Sequence, residues 1–461
     1  MSYISQLKPC IPLNEEYDVL HVQTNPYECK HLLIYPKKDK PSRTLKVKHL
    51  LVLIDTTTKL IVFGIEVYVY LTFFDSRNHV DHHIFVSKAD TTGFTRDSIR
   101  VADLVSQFVK YLVELNPSVY FTNVQLRQES KESESKSQLN FENETIKKLH
   151  KIIDNLRTDA SYYQSIPFYS QSGGATSQNA DLPFPIDSQH TFSTSTRLSL
   201  FTRAANEYLF PVSHKNPNKH LVDGDKLFTW WIRLIDKISG SDWANKIIIP
   251  GSDLKSTQKY LTNLKNSDNW EVGSLFSNLD QLAINQIPVF PDDPKGRFLE
   301  HLVVENRYKS IKTNQFWEEL GFRQEFRLGN VVGIIGCQIN SNVSLAKTDP
   351  LDELVIPFLA YKNLITIIKG EDFSIKDDII SLVQDQIPVS LKKFTSEPFI
   401  TVKGSKVQTN QPAPSNVNDL NGMIKKKKPP ANNLNNSIKR KSSGPPVNNL
   451  NGSIVKKKSK S

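Results

Sequence analysis

Cysteine is scarce. The 461 residues contain three, Cys10, Cys29 and Cys337. They are too few and too widely spaced for a disulfide framework or a zinc-ligand pattern, which fits a reducing compartment. Long apolar runs are also lacking. The most apolar one, Leu60 to Phe74, is too short to span a bilayer and contains Glu66. The first ten residues lack the charged-then-apolar form of a secretory signal. There is no Walker loop, no GxGxxG fingerprint, no GxSxG elbow and no HExxH helix. Together these absences argue against a secreted, membrane-spanning or familiar nucleotide-binding protein. The expectation is a soluble intracellular protein with no membrane association.

What is present supports a sizeable core. Apolar residues make up 38% and aromatics 10% of a 52.5 kDa chain, and charged residues 23%, near the globular average. The length suggests two or three domains, or one large domain with insertions. The net charge of +10 is unevenly placed. Residues 416–461 hold 11 of the 58 basic and one of the 48 acidic residues, so this tail carries +10 and the remaining 47 of each sign cancel. The body is neutral and the tail is a basic arm. Within it Leu420-Asn-Gly-Met-Ile424, Leu434-Asn-Asn-Ser-Ile438 and Leu450-Asn-Gly-Ser-Ile454 recur, each followed by a basic cluster. Pro429-Pro430 and Pro445-Pro446 intervene, which reads as a disordered arm or import signal and not a solenoid.

Along the body, Leu45 to Asp55 and Leu60 to Phe74 are rich in β-branched and aromatic residues, with a turn-like Asp55-Thr-Thr-Thr-Lys59 between them. This predicts a hairpin. A third strand is expected over His83 to Val86, and His79-Val-Asp-His-His83 reads as an exposed turn. Its ligand types lack the second cluster a metal site needs. Val101, Leu104, Val105, Phe108, Leu112 and Leu115 fall at helical spacing up to Asn116-Pro117. Asp97 or Ser98 can cap that helix. Its start, with Arg96 and Arg100 adjacent, forms a candidate anion site. Residues 128–181 read as a mobile insertion around one helix, Glu142 to Leu156. Further helices are expected over Lys226 to Ile238, Phe298 to Val304, Phe316 to Phe326 and Ile375 to Val383. Buried strands are expected over Val331 to Ile339 and Leu354 to Leu359.

Two constellations can carry chemistry. Phe290-Pro-Asp-Asp-Pro-Lys-Gly-Arg-Phe298 sets two carboxylates just before Lys295 and Arg297. Asp293 is well placed as an N-cap with Pro294 at the first helical position. Adjacent side chains in an extended segment point apart, so Asp292 and Asp293 need not share a site. Trp230-Trp231 lies in a helix, with Trp231 on the apolar stripe and Trp230 on the flank, where it can line a cleft. The glycine loop of the common acetyltransferases is absent. Residue chemistry alone stops at a large α/β protein with a basic arm and a candidate anion site.

Four segments together resemble one family. Phe85-Val-Ser-Lys-Ala-Asp-Thr91, Leu200-Phe-Thr-Arg-Ala-Ala-Asn-Glu-Tyr-Leu-Phe-Pro211, Lys219-His220 with Trp230-Trp231, and Phe290-Pro-Asp-Asp-Pro-Lys295 stand in this order. They resemble the fungal histone acetyltransferases of the regulator-of-Ty-transposition type, over about residues 66–325. The resemblance implies an α/β fold like the CREB-binding-protein acetyltransferases, a central mixed β-sheet surrounded by helices. The catalytic domain would span 1–403 and the disordered basic tail 404–461. It implies acetyl-CoA as cosubstrate, no metal, and lysines of histone H3 as acceptors. Implied partners are histone H3–H4 and chaperones of the anti-silencing-function and nucleosome-assembly-protein types. The implied setting is the nucleus, in replication-coupled nucleosome assembly and DNA-damage tolerance.

Carried over by position, the resemblance places Ala89, Asp90 and Thr91 in the loop entering the cofactor site. Ser98, Ile99, Arg100, Val101 and Ala102 match the helix start facing the pyrophosphate. Phe201 and Ala205 match the pantetheine channel, and His220, Leu221, Val222 and Trp230 the remaining cofactor contacts. Trp231, Tyr208 and Asp293 match the lysine-acceptor side, with Asp292 nearby. Lys295 matches a buried lysine that becomes acetylated. Asp293 serves either as a general base or to bind and orient the incoming ammonium. No cysteine lies in these motifs, so direct transfer in a ternary complex is expected. The competing class is a non-catalytic histone- or nucleic-acid-binding scaffold, whose basic tail contacts phosphates or acidic chaperone surfaces.

Overall fold

The structure, a computed structural model, describes residues 3–35, 40–96, 99–125, 191–276, 281–323, 326, 330–344 and 353–407. The 128–181 insertion with its helix, Asp97, Ser98 and the repeats of the basic arm lie outside the described residues.

Among the described residues eleven strands form one mixed sheet. They are β1 (Glu16–Thr24), β2 (Tyr27–Glu28), β3 (Arg43–Asp55), β4 (Ile61–Phe74), β5 (His79–Thr91), β6 (Thr191–Thr202), β7 (Ala244–Ile248), β8 (Trp270–Val272), β9 (Gly333–Ser344), β10 (Leu354–Ile356) and β11 (Ile400–Lys403). The order is β10-β1-β3-β4-β5-β6-β9-β7-β8, with β11 on β1 and β2 on β3. Pairs β1/β10, β5/β6 and β7/β8 are parallel and the other pairs antiparallel. The expected hairpin is β3–β4, closed by the Asp55 carboxylate accepting from the amides of Thr57 and Thr58. All 14 residues of β4 are buried, because both faces of the sheet are covered.

Five helices matter for the site. They are α1 (Val101–Glu114), α2 (Gly224–Ile238), α3 (Pro294–Val304), α4 (Thr313–Gly321) and α5 (Phe358–Gly370). On one face, Leu104, Val105 and Phe108 of α1 and Trp231, Ile232 and Ile235 of α2 pack on Val67, Val69, Ile84 and Val86. On the other, Tyr361, Leu364 and Ile368 of α5 pack on Leu20, Leu50 and Val52. Beyond β11 the chain stays tied to the body. The Gly404 amide donates to Glu15 O at 2.9 Å and Lys406 pairs with Asp103 at 3.0 Å.

Several expectations change. His79 to His83 is the start of β5 and not an exposed turn; His82 and His83 are 0% and 4% exposed. Their ring nitrogens meet hydroxyls of β6, Thr196 at 3.3 Å and Ser199 at 2.8 Å, which is how polar side chains enter a sheet core. The strand expected over Leu354 to Leu359 stops at Ile356, and Pro357 is the N-cap of α5. The helix expected over Ile375 to Val383 is α-helical only over Lys376–Ser381, then widens into a π turn at Leu382–Gln386. Pro388 supplies no N–H to the carbonyl four residues back, a condition that favours such a bulge.

Candidate active site

The site begins where two parallel strands part. The β5/β6 pairing ends at Val86↔Leu200. Each strand then continues with its other neighbour, β5 with β4 as far as Thr91 and β6 with β9 as far as Thr202. A cleft therefore opens within the sheet. Its wall includes Ser87, Lys88 and Ala89 from β5, Phe201 and Thr202 from β6, Arg203 and Tyr208 from the following loop, and Leu227 and Trp231 from α2, around a cavity of about 50 Å³. Ala89, Phe201, Tyr208 and Trp231, anticipated from sequence, are thus brought together. The Tyr208 hydroxyl donates to Arg203 O. Burial, with help from Asp90, pushes this phenol up to about 12. It stays protonated at neutral pH and walls the cleft as a neutral group.

Asp90 anchors the loop beside the cleft. It is 6% exposed, and its Oδ2 accepts from the amides of Tyr208, Leu209 and Phe210 at 2.7, 2.9 and 3.2 Å. Its Oδ1 accepts from the Thr91 amide at 2.9 Å and from Lys219 Nζ at 2.9 Å. The carboxylate is a clamp that folds the Tyr208 loop back onto β5. Gly93, at φ +87°, lies under the same clamp; a Cβ there would sit 2.8 Å from the Lys219 amide nitrogen.

The two adjacent aspartates part company, as their spacing suggested. Asp293 caps α3, its Oδ1 accepting from the Lys295 amide at 3.0 Å, while its Oδ2 accepts from Lys295 Nζ. Their side chains are 0% and 5% exposed. Pro294 holds the first helical position. Asp293 does not line the Trp231 cleft. Lys295 borders a separate cavity of about 20 Å³ with Phe85, Phe290 and Trp317. Asp292, by contrast, is 76% exposed and pairs with Lys88 at 3.0 Å. Its φ is +58°, a left-handed conformation that costs a non-glycine residue about 1 kcal/mol or more.

Cofactor-side residues divide. Ala102 and Trp230 line a groove of about 480 Å³ between α1 and α2, with Lys226, Arg233 and Lys237 around it. Asp225 also lines it and Lys226 pairs with Asp223 at 3.1 Å, so Arg233 and Lys237 beside the indole are the groove's contribution to an anionic, partly aromatic molecule. The two indoles meet edge to face at 4.9 Å, so one lines each cavity. Arg100, at the N-cap of α1, is exposed, Val101 is half-buried and Ile99 is a core residue. Ser98 lies outside the described residues. Arg96 is not available to the anion site, because its guanidinium grips the buried Asp55 carboxylate at 2.6 Å. Thr91 ends β5, and Ala205, His220 and Leu221 are exposed in loops, with Val222 half-buried just before α2. Among the described residues no group of three or more His, Cys, Asp or Glu side chains is placed to hold a metal, and no helix is long and apolar enough to cross a membrane.

Sequence reasoning gave Lys88, Lys219 and Glu66 no role of their own. Glu66 sits in the apolar run of β4, 3% exposed, accepting from Tyr361 Oη at 3.0 Å. A lone acid in such a run was the available signal.

The sheet parts beside paired indoles, one lining the cleft and the other the neighbouring groove. The family comparison names the chemistry. Residues 4–389 match the KAT11-type histone acetyltransferase domain. The chain is 34% identical to the histone acetyltransferase RTT109 of Candida albicans, over 82% of this chain and 98% of that one. It is 26% identical to the histone acetyltransferase rtt109 of Aspergillus flavus, over 72% of this chain and 55% of that one. The crystal structure of Rtt109 from Aspergillus fumigatus shares the fold, with a TM-score of 0.61 and 23% identity over 88% of this chain and all of that one. The chain belongs to the KAT11-type histone acetyltransferases. It is an acyltransferase with acetyl-CoA as cosubstrate and histone as substrate, which sets the scaffold alternative aside.

Proposed function

We propose that this protein acetylates lysines of histone H3 within H3–H4, presented by chaperones of the anti-silencing-function and nucleosome-assembly-protein types. The setting is the nucleus, in replication-coupled nucleosome assembly and DNA-damage tolerance. In this reading residues 1–403 carry the catalytic domain, with 128–181 as an insertion and 404–461 as a basic tail for acidic or phosphate partners. The observation that carries it is the cleft between β5 and β6, where Ala89, Phe201, Tyr208 and Trp231 converge next to the Lys88–Asp292 bridge.

Acetyl-CoA supplies an activated acetyl thioester. Trp230, Ala102 and the groove cations bind its polar part, and Ala89 and Phe201 line the approach to the cleft. The acceptor lysine must lose its charge first, which costs about 4 kcal/mol at pH 7.4. Trp231 and Tyr208 exclude water, and a dry channel disfavours the ammonium form. The neutral amine nitrogen would then bond to the acetyl carbon as the carbon–sulfur bond breaks, and the proton that nitrogen gives up balances the departing thiolate, which leaves as free CoA. Asp293 stands outside the cleft with both oxygens already accepting hydrogen bonds from Lys295, so in this reading it is a positioning residue that holds Lys295 and the start of α3. Lys295 itself is the candidate site of autoacetylation, and no metal takes part.

The test is acetyl transfer to H3–H4 with and without a chaperone. Asp293→Asn and Trp231→Ala are expected to lower chaperone-stimulated turnover by about 10- to 100-fold, the scale of misplaced reacting groups. Full activity in a folded Asp293→Asn protein would refute the role of that side chain. Deleting residues 416–461 should leave transfer to free histone intact.

A further inference from the structure

We propose that Lys88 is a positioning residue for acetyl transfer: held between Glu66 of β4 and Asp292 of the loop before α3, it fixes the turn from which Asp293 enters the core. The inference rests on the acceptor-site reading above and adds a residue to it.

The geometry starts with a bulge. Glu66 pairs with Lys88 but Val67 pairs with Val86, so Ser87 is an extra residue in β5. A bulge reverses which residues face which side of the sheet. Before it, Phe85 lies with Tyr68 and Tyr70, and Val86 with the opposite core. After it, Ala89 packs on that opposite core, and Lys88 falls directly across from Glu66. Cross-strand partners of this kind stand within reach of one another. The same Lys88 lines the acceptor cleft and donates from Nζ to Asp292 Oδ2 at 3.0 Å. It is the link between the cleft wall and the Asp292–Asp293 turn.

That turn needs a holder. Asp292 is left-handed at φ +58°, and Asp293 returns to φ −93° to cap α3. The chain passes at this point from an exposed to a fully buried carboxylate. Removing Lys88 takes from the outer carboxylate its ion-pair partner and leaves Glu66 with the Tyr361 and Tyr68 hydroxyls. The other charged groups facing this bridge are Lys369 of α5 and Arg297 of α3. Burial alone would push Lys88 down, but Glu66 and then Asp292 outweigh it and hold it above the usual lysine range. Burial and the Lys88 charge push Lys369 down. Lys88 is therefore a standing positive charge at neutral pH.

The experiment measures steady-state acetylation of H3–H4 by the full chain for Lys88→Met, Lys88→Arg, Asp292→Asn, the Lys88→Met/Asp292→Asn double variant and Asp293→Asn. Lys88→Met and Asp292→Asn should each lower kcat about tenfold with the KM for acetyl-CoA within about twofold, the pattern of a lost transition-state arrangement. Lys88→Arg should recover activity to within about threefold of wild type, and the double variant should be no worse than about twofold below the weaker single. Losses that multiply in the double variant, or that fall in KM alone, overturn the proposal. Should Lys88→Met fail to fold, the exposed Asp292→Asn decides, and normal kcat there overturns it. An active Asp293→Asn sinks the acceptor-site reading and this inference with it. An inactive Asp293→Asn beside normal Lys88→Met and Asp292→Asn sinks this inference alone.

Discussion

Three lysine–aspartate pairs stand around the candidate site, of which only Lys88 lines the cleft, and they are not alike. Lys219–Asp90 and Lys295–Asp293 are closed, with every side chain 5% exposed or less. Lys88–Asp292 is open, at 19% and 76%. Each closed pair also collects backbone amides, four at Asp90 and one at Asp293. Among the described residues the open pair collects no backbone amide; it faces Glu66, Lys369 and Arg297, and has a left-handed residue at one end. Charge inside the fold fixes chain path, because a buried ion without its partner is costly. Charge at the rim fixes orientation at little cost in stability. The Tyr208 loop and the start of α3 therefore belong to the rigid scaffold, and the Asp292 turn is the adjustable edge of the site.

The largest test of this division is Asp90→Ala. It leaves Lys219 buried without its carboxylate and strips the acceptor from three successive loop amides. The expected loss is about 3–5 kcal/mol, the scale for a broken buried pair, read from the urea midpoint at unchanged slope. A loss below about 1 kcal/mol would put Asp90 in the class of exposed pairs and dissolve the contrast.

Acid should undo the closed scaffold next. His49, His82 and His83 face the sheet interior, and burial pushes them down to about 3, 4 and 3. In the unfolded chain each titrates near 6.5. Between about pH 6.5 and 4 the unfolded state then binds protons that the folded state refuses, so stability falls as pH falls, by up to about 1.4 kcal/mol per pH unit for each histidine. Above pH 6.5 these groups contribute no slope. Urea unfolding across pH 7.5 to 4.5 checks this. His82→Asn should flatten the curve by about one proton's worth; an unchanged slope would mean that His82 is not buried neutral.

Much of the scaffold was legible. The β3–β4 hairpin announced itself through a polar turn between β-branched runs, and α1 and α2 through apolar spacing at 3.6 residues. The Asp293-Pro294 cap could be read from two letters. What escaped depended on partners far along the chain. His82 and His83 looked like surface residues because the hydroxyls they meet stand on β6, 114 and 116 residues later. Arg96 looked free because Asp55 is distant in sequence. The Leu354 strand ran on too far because Pro357 sits inside a continuous apolar stretch that periodicity alone cannot divide. Lys88 could not be singled out, since its direction depends on an extra residue in β5 and on the φ of Asp292. The residues of the cleft itself were named by resemblance. The structure adds why they meet: β5 and β6 part after Val86 and Leu200.

The smallest expected effect sharpens the comparison most. Asp292→Asn removes one end of the open pair while keeping shape, and asparagine tolerates the left-handed conformation at least as well as aspartate. An ion pair this exposed is worth less than about 1 kcal/mol, so the thermal midpoint should stay within about 2 °C of wild type. Asp90→Ala, tested beside it, should unfold well below that. If Asp292→Asn destabilises as strongly as Asp90→Ala, the turn belongs to the scaffold, and a loss of turnover there would report only lost fold. If its melting is unchanged while turnover falls, the rim charge acts on orientation alone, as the open pair's geometry requires.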